Sequence, residues 1–190
     1  MPQAKTLKDS EIKTVLAVIN QTTHPERNRA MFLLSHLAGM RVGEIAALKI
    51  CDVLDDTGKV KEQIYLHASQ TKGKKGRTVT FSDKLRKELA GYAKTLKAPD
   101  NTWAFIPSQR DRKAGFSSNS LGQEFISIYR QAGIHGATSH SGRRTFITNL
   151  AHKGVSARVL MALAGHKNLS TTQRYIDVND ELMRGAVNLL

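Results

Sequence analysis

The stretch from residue 139 to residue 175 begins SHSGRRTF (139–146) and ends GHKNLSTTQRY (165–175). Between Phe125 and Ile176 the chain contains no Asp or Glu. The same region carries seven fixed positive charges, which are Arg130, Arg143, Arg144, Lys153, Arg158, Lys167 and Arg174. A region whose charges are all of one sign predicts an anionic ligand.

The residue types within this stretch suit a phosphodiester. His140 and Arg143 are three residues apart at a predicted helix start, so both can project from one face. His166 follows a second apolar helical run in a Gly-His turn, and Tyr175 comes nine residues later. Arg can bind two non-bridging oxygens, His can donate to them, and a Tyr hydroxyl can attack phosphorus. None of these groups requires a metal.

The order His-x-x-Arg, then Gly-His, then Tyr nine residues after that His resembles the C-terminal half of the tyrosine recombinase (phage integrase) catalytic domain. The resemblance implies DNA cleavage by Tyr175, with Arg143 and His166 binding the scissile phosphate and His140 assisting proton transfer. The chain departs from the family pattern at Ser141-Gly142, where Asp-Leu is common. Glycine there is expected to loosen the helix start and to shift Arg143.

A second arginine lies at the predicted start of a helix that runs from Met40 to Leu48. Gly39 is suited to a left-handed cap on the preceding apolar helix, so Arg41 comes two residues after the predicted end of that helix. A helix N-terminus favours anions, which makes Arg41 a candidate phosphate ligand. The alternative is a surface Arg41 paired with Glu44 at i,i+3. By the resemblance, Arg41 belongs to the first arginine box of the family and Glu44 orients it.

The segment from Cys51 to Phe81 loses helical periodicity and predicts short antiparallel strands. The tip of the hairpin, residues 71–77, contains four basic residues, and no acid occurs from Gln63 to Ser82. Such a tip is either a solvated edge or a phosphate-contacting loop. In the family the hairpin carries a catalytic lysine, which corresponds to Lys72 here, with Lys74 as the rival position.

The hairpin tip and the stretch from residue 139 to residue 175 together supply the predicted DNA contacts. These contacts are Lys74, Lys75, Arg77 and Arg144. The expected partner is therefore double-stranded DNA.

The predicted fold class is mainly α with a small antiparallel β-sheet, similar to a tyrosine recombinase catalytic domain. Apolar residues recur at helical spacing in six further segments. The predicted helical ranges are 7–19, 30–37, 82–96, 118–132, 141–153 and 156–164. We expect residues 1–190 to form a single catalytic domain with no core-binding domain before Leu7. The apolar run 182–190 is expected to pack on its own domain or to dock on a neighbouring protomer in a homo-oligomer.

The composition agrees with a polyanionic partner. The 190 residues include 29 Lys plus Arg against 16 Asp plus Glu, which gives a net charge of +13. Counterion release from DNA would then contribute to binding, although ribosomal and membrane-surface proteins share this charge. Cys51 is the single cysteine, so no intramolecular disulfide is possible and a cytoplasmic setting is expected. No apolar run approaches the roughly 18 residues that would span a bilayer.

The resemblance implies a site-specific recombinase that forms a 3'-phosphotyrosyl link and reseals DNA by reversing the step. Lys72 is the expected general acid for the leaving 5'-oxygen. No ATP, metal or other cofactor is implied, because the link conserves the phosphoester bond. Two alternatives stay open from the sequence: a type IB topoisomerase-like relaxing enzyme and a non-catalytic DNA-binding relative.

Overall fold

The computed structural model describes residues 4–71, 75–97, 100–176, 183–184 and 187–188. The described residues form mostly short helices around one small antiparallel sheet, which confirms the predicted fold class. The elements in chain order are α1 (Asp9–Ile19), α2 (Pro25–Ala38), α3 (Val42–Ala46), α4 (Ile50–Val53), β1 (Gln63–Leu66), β2 (Arg77–Thr80), α5 (Asp83–Ala93), α6 (Ser118–Gln131), α7 (Ser141–His152), α8 (Ala157–Ala164) and α9 (Leu169–Gln173).

Helix α2 lies at the centre, where it packs against α7, α5 and α1. Its residues Met31, Phe32 and Leu34 are almost fully buried because apolar side chains cover more than one face. Burying a side chain of this size typically contributes about 1.5–3 kcal/mol. A helix that is buried on several sides provides a fixed base for the elements at its C-terminal end.

Helix α2 ends at Gly39, whose φ of 61° lies in the left-handed region. This confirms the predicted glycine cap. A Cβ at Gly39 would stand 2.5 Å from the Phe146 ring, so glycine also lets α7 approach the end of α2. The cap turns the chain into α3 and brings Arg41 beside α7.

The sheet is a two-stranded hairpin in which Ile64 pairs with Val79 and Leu66 pairs with Arg77. Ile64, Leu66 and Val79 are buried, whereas Tyr65 and Thr78 are exposed, as alternation along a strand requires. The hairpin tip predicted to carry Lys72 and Lys74 lies outside the described residues, as does most of segment 182–190.

The structure differs from the sequence prediction at three helices. Helix α2 begins at Pro25 rather than at residue 30, and α4 and α9 were not predicted. The Cys51–Phe81 segment therefore includes the end of α4 instead of being free of helix. In the part of the chain that the structure describes, no helix has the length and apolar character needed to cross a membrane.

Candidate active site

Arg41 is the residue immediately before α3, and its side chain is 29% exposed. Its backbone N–H donates to Glu44 Oε2 and its Nη1 donates to Glu44 Oε1, both at 2.8 Å. Its Nη2 donates to the Gly165 carbonyl at 3.3 Å. The pair with Glu44 that sequence offered as an alternative is thus present, but Glu44 is buried and holds Arg41 at the rim of a cleft.

Arg143 lies in the first turn of α7 and is buried. Its Nη1 donates to the Gly39 carbonyl and its Nη2 donates to the Ala164 carbonyl. The first contact ties α7 to the end of α2, and the second ties it to the end of α8. Because Arg143 occupies this position at a regular helix start, the expected loosening of the helix by Gly142 is not observed.

Gly142 has a packing role at the α2–α7 contact instead. A Cβ at this position would stand 2.7 Å from Ser35 Oγ. The absence of a side chain therefore lets α7 come close to α2, and this sets the depth at which Arg143 sits.

Three arginines converge on the C-terminal end of α8. The consecutive carbonyls of Leu163, Ala164 and Gly165 accept hydrogen bonds from Arg77, Arg143 and Arg41 respectively. The last carbonyls of a helix have no partner within it, and the helix dipole makes this end favourable for cations. One short stretch of backbone therefore sets the relative positions of three guanidinium groups.

Glu44 is the carboxylate that balances this cluster among the described residues. It is 1% exposed and accepts from Arg77 Nε at 3.1 Å and from Arg77 Nη2 at 2.8 Å, in addition to Arg41. Burial by itself would raise the pKa of Glu44, but the hydrogen bonds from Arg77 and the backbone N–H of Arg41 outweigh it. The pKa is therefore below its usual range, and Glu44 is ionised at neutral pH.

The cluster retains an excess of positive charge. Burial lowers the pKa of Arg143 to about 9, and the positive charges of Arg41 and Arg77 act in the same direction. Buried charges are costly unless they are paired. Three guanidinium groups around one carboxylate are best satisfied by an added anion.

His166 follows directly after Gly165, the left-handed cap of α8. Its Nδ1 lies 2.9 Å from Thr172 Oγ1, which fixes the imidazole against α9. Burial lowers the pKa of His166 to about 4, and the nearby Arg143, Arg41 and Arg77 act in the same direction. The ring is neutral at pH 7.

Tyr175 lies two residues after α9, and its ring contacts both His166 and Arg144. The imidazole of His166 stacks on it with a centroid distance of 5.8 Å and an interplanar angle of 23°. The Cζ of Arg144 stands 5.3 Å from the ring centroid, and Arg144 Nε donates to Thr6 Oγ1 at 3.1 Å. The side chain of Arg144, which projects from α7, is thus held between the N-terminal segment and the candidate nucleophile.

His140 precedes α7 and is exposed. Two adjacent clefts collect the candidate residues, and Thr171 lines both. One cleft, of about 400 Å³, is lined by Arg41 and His166. The other, of about 250 Å³, is lined by His140, Arg143 and Tyr175.

The structure therefore brings together Arg41, His140, Arg143, His166 and Tyr175, although the first and the last of them are 134 positions apart in the sequence. Among the predicted DNA contacts, Lys75 is exposed and lines the larger cleft.

Arg77 lines the same cleft, but its guanidinium is bound to Glu44 and to the Leu163 carbonyl and its side chain is only 10% exposed. Its strand alternation gave a signal for this, because Arg77 shares a face with the buried Val79. Thr172, the partner of His166, carried no comparable signal.

Within the described ranges, no group of three or more His, Cys, Asp or Glu side chains is arranged to hold a metal ion.

The fold and this arginine, histidine and tyrosine site define a class of protein. Residues 5–181 match the model of the phage integrase family, and the chain belongs to that family. The tyrosine recombinase XerA of Pyrococcus horikoshii is 33% identical over 184 residues, which cover 96% of this chain and 60% of the relative. The tyrosine recombinase XerC of Lactobacillus delbrueckii subsp. bulgaricus is 33% identical over 159 residues, which cover 80% of this chain and 51% of the relative.

Solved structures share the fold. A crystal structure of XerA recombinase superposes on the whole chain with a TM-score of 0.76 and 25% identity, and the match covers 66% of that structure. The integrase of transposon Tn1549, solved with circular intermediate DNA, also gives 0.76 at 17% identity over 100% of this chain and 67% of its own. The chain thus spans about 60% of the length of the XerA relative.

Proposed function

We propose that this chain catalyses site-specific DNA strand cleavage and rejoining through Tyr175. The observation that carries the proposal is the convergence of Arg41 and Arg143 on adjacent carbonyls beside His166 and Tyr175. A cluster with excess buried positive charge next to a phenol suits a phosphodiester with a nearby nucleophile. Membership of the phage integrase family supports the same conclusion.

In the proposed reaction the Tyr175 oxygen attacks phosphorus and the bond from phosphorus to the 5'-oxygen breaks. A 3'-phosphotyrosyl bond forms, and the 5'-hydroxyl is released. The Tyr175 proton passes to a base, for which His140 at the same cleft is the candidate. The leaving 5'-oxygen takes a proton from Lys72, which lies outside the described residues. Attack by a 5'-hydroxyl on the phosphotyrosyl bond then reseals the strand.

Arg41 and Arg143 offset the energetic cost of this step. A free Tyr hydroxyl has a pKa near 10, so forming the phenolate at pH 7 costs about 4 kcal/mol. One preorganised donor to the developing charge typically contributes about 3–4 kcal/mol. Two guanidinium groups fixed by α8 are therefore sufficient to offset the cost.

His166 is proposed as a neutral donor to the phosphate. Its pKa of about 4 keeps the imidazole uncharged at pH 7. If the Thr172 hydroxyl donates to Nδ1, the proton of the ring resides on Nε2, which is free of that contact. In that arrangement Nε2–H can donate to a phosphate oxygen.

The proposal is tested with a nicked suicide duplex that carries a candidate site. Wild-type protein should form a denaturant-resistant adduct with DNA, and Tyr175→Phe should form none, because it keeps the stacked ring and removes the nucleophilic oxygen. Absence of an adduct with the wild type would favour a non-catalytic DNA-binding role. Relaxation of any supercoiled plasmid without site preference would favour a topoisomerase-like activity.

Double-stranded DNA is the proposed substrate and partner. A homo-oligomer assembled through residues 182–190 and a cytoplasmic, DNA-associated location stay predictions.

A further inference from the structure

Arg77 is the first residue of β2, directly after the basic hairpin tip, yet its side chain is only 10% exposed. All three nitrogens of its guanidinium donate to protein acceptors. Nε and Nη2 bind the two oxygens of Glu44, and Nη1 binds the Leu163 carbonyl at 3.0 Å. Three of its five N–H groups are therefore bound inside the protein, and they hold the guanidinium between Glu44 and the end of α8.

The aliphatic part of the Arg77 side chain also packs closely against the protein. An ideal Cβ at Gly165 would stand 2.5 Å from Arg77 Cδ, so the side chain lies flat against this glycine. Gly165 also accepts from Arg41 and immediately precedes His166. Arg77 therefore contacts both supports of Arg41, which are the carboxylate of Glu44 and the turn at the end of α8.

We propose that Arg77 is a positioning residue that holds Glu44 and the end of α8 so that Arg41 and His166 stay aligned on a shared ligand. The proposal rests on the proposed function. It also predicts a mechanical link between the cleft and the hairpin, because Arg77 is the first residue of β2 and ties that strand to Glu44 and to the end of α8. Arg77 acts through these neighbours and does not touch the reacting atoms.

Loss of Arg77 has a specific consequence for Arg41. Glu44 would keep its buried negative charge and lose two of the four hydrogen bonds that neutralise it. A buried, underpaired carboxylate attracts the nearest cation. Arg41 would then turn its second terminal nitrogen from Gly165 toward Glu44, and its charge would be withdrawn from the cleft.

The test is single-turnover adduct formation at saturating suicide duplex. Arg77→Met should slow the rate by about 100-fold, the loss that a displacement of about 1 Å can cause. Glu44→Gln placed in the same chain should restore the rate at least about tenfold, because it removes the unpaired negative charge and the residues are coupled.

Arg29→Met is the matched control, since Arg29 makes a two-point pair with Glu88 between α2 and α5. It should lower the melting temperature without slowing cleavage.

A DNA-contacting role would give different results. In that case Arg77→Met would weaken binding and reduce the salt dependence of the dissociation constant by about one charge, as Lys75→Met is expected to do. The cleavage rate at saturation would then be unchanged, and Glu44→Gln would restore nothing. Either finding would overturn the proposal.

A DNA-free crystal structure of Arg77→Met separates this proposal from the proposed function. Both terminal nitrogens of Arg41 should then bind Glu44, and neither should donate to the Gly165 carbonyl, whether or not the wild type forms an adduct. An unmoved Arg41 would refute the positioning role. If Arg77→Met does not fold, Arg77→Gln serves in both experiments, because it keeps a polar side chain and still removes both the positive charge and the two-point pair with Glu44.

Discussion

Replacing Gly142 by alanine tests how α7 is seated on α2. Gly142 lies in the first turn of α7 and is buried. The added methyl group would stand 2.7 Å from Ser35 Oγ, 3.1 Å from Ser35 Cβ and 3.4 Å from the backbone nitrogen of His36. The hydroxyl could rotate away, but Ser35 Cβ cannot, so α7 and α2 must shift apart by a few tenths of an ångström.

Two opposing effects decide the size of the change. Alanine in place of glycine stabilises a helix interior by up to about 1 kcal/mol. Overpacking a close contact costs about 1–3 kcal/mol. We therefore expect a net loss of about 1 kcal/mol, which lowers the melting temperature of a chain of this size by about 2–4 °C. Arg143 is the next residue, so its guanidinium would move with the helix and adduct formation would also slow.

The assay is thermal unfolding followed by circular dichroism, paired with the adduct rate. Gly91→Ala is the matched control, because Gly91 lies in α5 and an added Cβ meets nothing within 4 Å. It should raise the melting temperature. Ser35→Ala should recover part of the Gly142→Ala loss, since Ser35 Oγ is buried and finds no hydrogen-bond partner in the described structure. A Gly142→Ala protein that melts at or above the wild-type temperature would refute the close-contact argument.

Two further outcomes follow from the surroundings of Tyr175 and His166. Arg144→Met should slow adduct formation by about 2- to 30-fold in single-turnover kinetics, because a cation over an aromatic ring is worth roughly 0.5–2 kcal/mol. Arg110→Met is the control: Arg110 is an exposed charge in a remote turn, and its loss should leave the rate unchanged. The DNA-free ring of His166 should titrate near pH 4 by NMR, since burial and the neighbouring guanidinium groups oppose its protonation. Because this folded-state pKa lies below the unfolded value of about 6.5, the contribution of His166 to stability is complete above pH 6.5 and declines as the pH falls toward 4. A midpoint near 6.5 would contradict the buried, cation-rich setting.

Much of the fold was predictable because its signals are local. Helical periodicity marked α1, α5, α6, α7 and α8, and the glycine cap at residue 39 followed from its position after an apolar run. The residue types of the candidate site, and their order along the chain, could also be predicted from the sequence. The convergence of these residues in space could not be predicted, because it depends on tertiary packing. No local sequence pattern indicates that Arg41 and Arg143 meet at α8.

The first turn of α2 was missed because its residues are polar and nevertheless buried. Arg27 and Asn28 lie inside the protein, where both contact Glu124 of α6. Hydrophobic periodicity cannot detect burial that depends on a distant carboxylate. Pro25, which favours the first position of a helix, was the available signal. Helices α4 and α9 are only four and five residues long, too short for a periodic pattern.

The inward placement of Arg77 shows a second limit of prediction from sequence. A basic hairpin suggests contacts with DNA, and four positive charges in seven residues dominated that interpretation. The alternation of β2 distinguishes Arg77 from its neighbours on the tip, because its face is the one that carries Val79. Charge alone indicates the partner class, whereas strand register indicates which charges remain available to it.

The row of carbonyls from residue 163 to residue 165 makes the length of α8 more important than most of its side chains. Each added residue advances a helix by about 100° and 1.5 Å, so a single insertion would aim all three oxygens away from their arginines at once. Substitutions on the outer face, such as at the exposed Val159, leave that row unchanged. We therefore expect the exposed face of this helix to tolerate variation in composition, whereas the number of residues in the helix should not change.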